Sequence, residues 1–248
     1  MIRFLLPAMV LAGAGLTAAP VGAAELTHDA ASEASTRGLY LALIRQARTD
    51  GRPRAAIAYL DDFDRRHPDD RDAQILRVNC LLDLSRVDEA RRALARIPAS
   101  DHSGAALAIR GHVMAAQGDW TGASAQYTAA LQASPADPFI ANALGYALLR
   151  AGQAQAAVEA LRSAGDLAPD DAVLRNNLIL ALTVSGRLGE AEALLARVQD
   201  GGERSRLRRQ VAGEAARIAA AGAIVGPVTG PVAGPVTGAG AAAAPRGS

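Results

Sequence analysis

The sequence returns on itself with a period of about 34 residues. Residues 138–171 read PFIANALGYALLRAGQAQAAVEALRSAGDLAPDD. One period earlier, Gly145, Gly152, Ala157 and Pro169 fall on Gly111, Gly118, Ala123 and Pro135; one period later, Gly152, Ala157 and Leu161 fall on Gly186, Ala191 and Leu195. Within the copy, Ala141, Leu144, Gly145, Leu148 and Leu149 recur at helical spacing, and Ala157, Leu161 and Ala164 form a second set after Gly152. Two amphipathic helices result, each roughly 12 to 14 residues or about 20 Å long. Helices of that length are marginal alone in water, so the fold must be an all-α array held by stacking. Glycine inside a helix costs about 1 kcal/mol against alanine. Gly111 and Gly145 therefore call for a packing reason, and close approach of the paired helix at Ala123 and Ala157 is the expected one. Pro135 and Pro169 stand where a helix must stop, because proline lacks the amide donor and disfavours a helical residue before it.

Five copies can be placed, at 37–70, 71–103, 104–137, 138–171 and 172–198. The first keeps Gly51, Ala56 and Pro68 but has Ile44 at the eighth place. The second is one residue short, with Val78 and Ser85 for the two glycines and its proline moved to Pro98. The fifth loses its terminal proline. Ahead of the array, residues 1–24 carry one cation, Arg3, an apolar run and then Gly22, Ala23 and Ala24 before the first acid, a pattern that predicts a secretory signal peptide. Leu11-Ala12-Gly13-Ala14 resembles a lipoprotein cleavage motif with alanine at the place of the lipid-bearing cysteine, so an exported periplasmic protein without that anchor is expected. Residues 25–36 are small and polar without a period and read as a flexible lead-in. Beyond the array, residues 199–221 carry Arg204, Arg206, Arg208, Arg209 and Arg217 and are expected to form a polar helix capping the last repeat. In residues 222–248 the motif Gly-Pro-Val recurs every four residues from Gly226, the composition of a disordered tail.

Composition narrows the function classes. Aromatic residues are only 3% of the chain, so the core must be built from Ala, Leu and Val. A net charge of +1 gives no electrostatic reason to expect nucleic acid. Cys80, the only cysteine, allows no internal disulfide and is expected to be a packed thiol. His28, His67, His102 and His112 lack the spacing of a helical zinc site, and no nucleophile elbow or phosphate-binding loop is present. Neither catalysis, nor a metal, nor a cofactor is expected. The acidic runs Asp61-Asp62-Phe63-Asp64, Asp69-Asp70 and Asp170-Asp171 are expected to serve helix ends rather than acid–base chemistry.

The period, with small residues at the eighth and twentieth places and proline at the thirty-second, resembles the tetratricopeptide repeat. The resemblance implies a solenoid of about five helix-turn-helix repeats whose first helices line a groove for a protein or peptide partner. The groove places imply Arg45 and Arg48 in the first copy and Ile75, Asn79 and Leu82 in the second. They imply His112 in the third; Phe139, Asn142, Tyr146, Leu149 and Arg150 in the fourth; and Asn176, Leu180 and Thr183 in the fifth. Such a mix suits an extended or helical peptide, amides satisfying backbone groups and apolar places holding side chains. Leu41, Ile75 and Ile109 stand where a carboxylate clamp would need basic and amide residues. Trp120, in Gly118-Asp119-Trp120, is expected to pack between repeats. The segments Ala141-Asn142-Ala143-Leu144-Gly145-Tyr146, Arg175-Asn176-Asn177-Leu178 and Ser185-Gly186-Arg187 resemble the TadD component of tight-adherence pilus assembly. That likeness implies a non-catalytic role in assembling an envelope secretion machine, with a secretin or another assembly component as partner. A general periplasmic adaptor and a regulatory subunit of an envelope enzyme are the alternatives.

Overall fold

The computed structural model describes residues 21–224, with side chains from 33 to 221. Eleven helices are found there and no strand. The chain divides after Ala99 into two compact units. The first contains α1 (Val21–Thr49), α2 (Pro53–Asp64), α3 (Arg71–Asp83) and α4 (Val87–Leu94). The second contains α5 (Gly104–Ala116), α6 (Trp120–Ala133), α7 (Pro138–Arg150), α8 (Ala154–Leu167), α9 (Ala172–Val184), α10 (Leu188–Ala196) and α11 (Gly201–Ile224). From α3 onward, each repeat boundary read from the sequence is the first residue of a helix. The expected lead-in at 25–36 differs: α1 runs through it, because alanine, glutamate and serine there continue the helix without a proline or a capping break. Most of the signal peptide expected at 1–24, and all of the expected tail at 222–248 beyond Ile224, lie outside the described residues.

Each hairpin closes at its fifteenth place. Gly51, Ser85, Gly118, Gly152 and Gly186 all have positive φ, between 58° and 85°. The amide of the next residue then reaches back five residues, as in Gln153 to the Leu148 carbonyl and Arg187 to the Leu182 carbonyl, at 2.9 and 2.8 Å. This closure satisfies carbonyls that a helix end leaves free and favours glycine, which has no Cβ to clash. Ser85 adopts the same conformation at φ 58°, which explains why the second copy keeps its register without the glycine. Aspartate or serine opens the first helices. Asp137 accepts from the amides of Phe139 and Ile140, Asp171 from Val173 and Leu174, and Ser103 from Ala106.

The packing reason for the eighth-place glycines is found one turn away from where the sequence placed it. A Cβ on Gly111 would stand 2.6 Å from Tyr127 Cε1, and one on Gly145 would stand 2.4 Å from Leu161 Cγ. Ala123 and Ala157 are fully buried as expected. It is the twenty-fourth residue, not the twentieth, that fills the glycine notch. Where the eighth residue is large, as with Ile44 and Ile179, it is itself fully buried in the core.

The first unit is knit by arginine–aspartate pairs. Arg37 joins Asp70 and Asp72 at 2.5 and 2.9 Å, and Arg77 joins Asp61 and Asp64 at 2.7 and 3.1 Å. Asp61, Asp62 and Asp64 lie at the C-terminal end of α2, where the helix dipole is unfavourable to them. The expectation that such acids complement helix N-termini holds for Asp70 and Asp171 and is corrected here. These three are held instead by Arg77, by Arg65 and by the Tyr40 hydroxyl. Cys80 is fully buried, and burial pushes its thiol pKa up, which keeps it protonated and unreactive.

Two stability experiments follow from this packing. Gly145→Ala is expected to destabilise the protein by about 1–3 kcal/mol through overpacking against Leu161. Gly165→Ala, in α8 with nothing within 4 Å of the new Cβ, should raise stability by about 0.5–1 kcal/mol. Urea titration of both variants checks the contrast; equal effects would remove the notch. Asp70 caps α3 through the Ala73 amide. Burial opposes its ionisation, but hydrogen bonds from Arg37 and from that amide outweigh it and hold the carboxyl below its ordinary range. A folded pKa below the unfolded one contributes stability above the unfolded value, lost as pH falls through the folded value. Asp70→Asn keeps a capping oxygen but loses the ion pair with Arg37, and should therefore cost about 0.5–1 kcal/mol at neutral pH, with the difference from wild type shrinking below about pH 4 in acid-dependent melting.

Candidate functional site

Polar and aromatic side chains converge on the wall formed by α7 and α9 in the second unit. Pro138, Phe139 and Ile140 begin α7 under the Asp137 cap. That start fixes the register that places Asn142, Tyr146 and Arg150 on successive turns of one face, at spacing four. Asn177 Nδ2 donates to Asn142 Oδ1 at 2.8 Å, linking α9 to α7. The Tyr146 ring meets the Trp120 ring edge-on at a centroid separation of 5.9 Å. The Arg150 guanidinium lies 4.3 Å from the Trp120 centroid and donates to the Tyr146 hydroxyl at 3.3 Å. Cation and ring attract through the ring quadrupole. A cavity of about 310 Å³ opens beside it, lined by Trp120, Asn142, Tyr146 and Asn177. Phe139 projects from the start of α7 with 74% of its surface exposed.

The groove residues expected from the sequence are thus divided. Asn142, Tyr146, Arg150 and Asn176 share the α7–α9 wall, and Phe139 is open to solvent. Leu149 is corrected: at 1% exposure it is a core residue, whereas Leu180, at 5%, stands on the wall and is covered by α11. Leu149 turns toward Ala157, Val158 and Leu161, while Leu180 packs in the same cluster beside Leu207 and Val211 of α11. His112 is half-buried, its ring 5.4 Å from that of Tyr127. In the first unit Arg45 is exposed and Asn79 half-buried. Arg48 is held by Asp83 at 2.6 Å, which neutralises it. Ile75 and Leu82 are half-buried, and the Thr183 hydroxyl donates to the Ile179 carbonyl within its own helix.

Two participants escaped the sequence reading. Trp120, expected only to pack, is the platform for Arg150. Asn177 occupies the sixth place, outside the groove set, yet it makes the amide bond to Asn142; the doubled Asn176-Asn177 was the available signal. Among the described residues no group of three or more His, Cys, Asp or Glu could hold a metal ion, and no helix is long and apolar enough to cross a membrane. What this wall offers is amide donors and acceptors, ring faces and one cation, all carried on helices.

A chain of two-helix hairpins of this length, closed at one left-handed residue and stacked through first and second helices, defines a class of helical repeat protein. Two sequence models described as tetratricopeptide repeat match it, one over residues 47–111 and 148–208 and the other over 110–172. The chain belongs to the tetratricopeptide repeat family, and its fold is that of a protein–protein interaction scaffold. No curated protein matches it. Among solved structures it is similar to TTC0263, a tetratricopeptide repeat protein of Thermus thermophilus, with 20% identity and a TM-score of 0.61, covering 71% of this chain and 97% of that one. It is also similar to pilF of Pseudomonas aeruginosa, with 17% identity and a TM-score of 0.59 over 76% and 89% of the two chains. YrrB, described as having an unusual peptide-binding site, matches at 14% identity and a TM-score of 0.50 over 68% and 90%. Identities this low show the fold alone.

The division between wall and core has a direct check. Leu149→Ala is expected to cost about 2–5 kcal/mol of unfolding free energy, whereas Phe139→Ala should stay within about 0.5 kcal/mol of wild type. Equal losses in chemical denaturation would contradict the assignment.

Proposed function

We propose that the protein is a non-catalytic scaffold of the bacterial cell envelope that binds a protein partner and supports assembly of a pilus or secretion machine. The observation that carries the binding reading is the α7–α9 wall. There a bridged amide pair and a stacked Trp120–Arg150–Tyr146 set lie near the exposed Phe139. Preorganised groups of this kind lower the ordering cost of binding. Residues 1–24 support export through their single cation, apolar run and small-residue end. Alanine at residue 14, at the place of the lipid-bearing cysteine in the motif that residues 11–14 resemble, favours a periplasmic protein over one anchored by lipid at that motif. The envelope-assembly role rests on the likeness to TadD in residues 141–146, 175–178 and 185–187, and a secretin or another pilus-assembly component is the partner it points to. A general periplasmic adaptor would use the same wall, as would a regulatory subunit of an envelope enzyme.

The test is affinity capture of the exported protein from an envelope extract of its own organism, with Phe139→Asp as control. Phe139 has no core role, so this variant keeps the fold. Recovery of a secretin or pilus component by wild type, lost with Phe139→Asp, is the expected result. Recovery of an unrelated envelope enzyme would replace the assembly role with the regulatory one. Identical captures by both baits would move the binding surface away from α7.

A further inference from the structure

The last helix does not sit where a regular array would put its next element. In the second unit the first helices α7 and α9 each meet the preceding hairpin mainly through its second helix, α6 and α8 respectively. Helix α11 packs chiefly on α9 and only lightly on α10. It closes the array as the C-terminal helix expected for residues 199–221, but does so against the α7–α9 wall rather than by extending the stack. Its attachment is narrow. Leu207, Val211 and Ile218 are buried, while the rest of the described face is exposed or half-buried. Glu214 reaches the wall itself, accepting a hydrogen bond from the Tyr146 hydroxyl at 3.2 Å. The fit is incomplete. A cavity of about 250 Å³ remains beneath α11, bordered by Tyr146, Asn176, Leu180 and Glu214. Asn176 Oδ1 is buried and has no hydrogen-bond donor among the described residues. A buried acceptor left unpaired is unfavourable.

We propose that the wall formed by Tyr146, Asn176 and Leu180 is a docking site for an amphipathic helix of a partner protein, and that α11 is its built-in stand-in, displaced when the partner binds. The inference rests on the protein-binding reading above and names the partner's chemistry. Leu207, Val211 and Glu214 show what the wall accepts: two branched apolar residues four apart, and a carboxylate three further on, all on one helical face. The partner helix adds what α11 lacks, an N–H or O–H group positioned over Asn176 Oδ1. Occupancy by α11 lowers the apparent affinity for any competitor by the fraction of molecules in which the wall is open. The site is thereby gated by its own chain.

The experiment uses a fluorescent synthetic peptide of residues 201–221, titrated by anisotropy against the full chain and against a full chain carrying Leu207→Asp and Val211→Asp. The doubly substituted chain should bind the peptide at least about tenfold more tightly than wild type, because its own α11 is released. A peptide carrying the same two substitutions should not bind. Tyr146→Phe in the released chain should weaken binding by about threefold through loss of one hydrogen bond. Equal binding to both chains, or none to the released chain, would overturn the proposal. So would collapse of the repeat array on release, seen as loss of its cooperative melt, since α11 would then be an integral part of the core. The peptide titration reads only the surface that α11 covers, whereas the envelope capture reads the wider wall, so the docking site and the broader scaffold reading can fail separately.

Discussion

Everything in this fold depends on the left-handed residue that closes each hairpin. At the fifteenth place of five successive copies the chain takes positive φ, and the reach-back hydrogen bond that follows lets the second helix start within four residues of the first helix's end. Helices of this length cannot hold themselves together in water. The closure delivers each second helix against its first so that Tyr127 and Leu161 drop into the notches at Gly111 and Gly145. Remove the left-handed turn and those side chains have no notch to enter. Ser85 shows that the conformation, rather than glycine itself, is the requirement.

The two units solve the problem of cohesion differently. In the first, α1 to α4 combine an apolar cluster around Leu41, Ile44, Leu60 and Phe63 with arginine–aspartate pairs that bind successive helices. Most of these pairs are partly exposed, so each contributes modestly, and their worth lies in fixing helix register more than in energy. In the second, charge pairing is sparser and the core is continuous from Leu149 through Leu161 and Ile179 to Leu207 and Val211. Rigid packing there holds the Trp120–Arg150–Tyr146 set still. A recognition surface built on helices is held more closely than one on loops.

The wall and α11 share one cluster, so the C-terminal helix is structural, and on the proposed reading it also competes with a partner. Its three buried residues complete the apolar surface of α9, which would otherwise face water. Its Glu214 accepts from the Tyr146 hydroxyl. An element attached by one narrow stripe is easier to detach than one buried on two sides, and the unpaired Asn176 acceptor reduces what its attachment gains.

Periodicity alone determined the helices, their boundaries from residue 71 onward, the turns and the all-α class, because each depends on local chemistry: a proline that cannot continue a helix, a glycine free to take positive φ, an aspartate that caps amides. Which of the first-helix residues face a partner was legible only in part. Asn142 and Tyr146 stand on the wall as their places implied, but Leu149 carries a groove place and is core, since a leucine beside an apolar cluster gains more by joining it than by facing water. Only the tertiary structure decided that Tyr127 and Leu161, sixteen residues from their glycines, are what the small residues make room for. It likewise decided that α11 turns onto α9. The spacing of Leu207, Val211 and Ile218 marks an apolar stripe, but a stripe does not state its partner: that depends on which exposed face, α9 or α10, is nearer and more apolar once the array has formed.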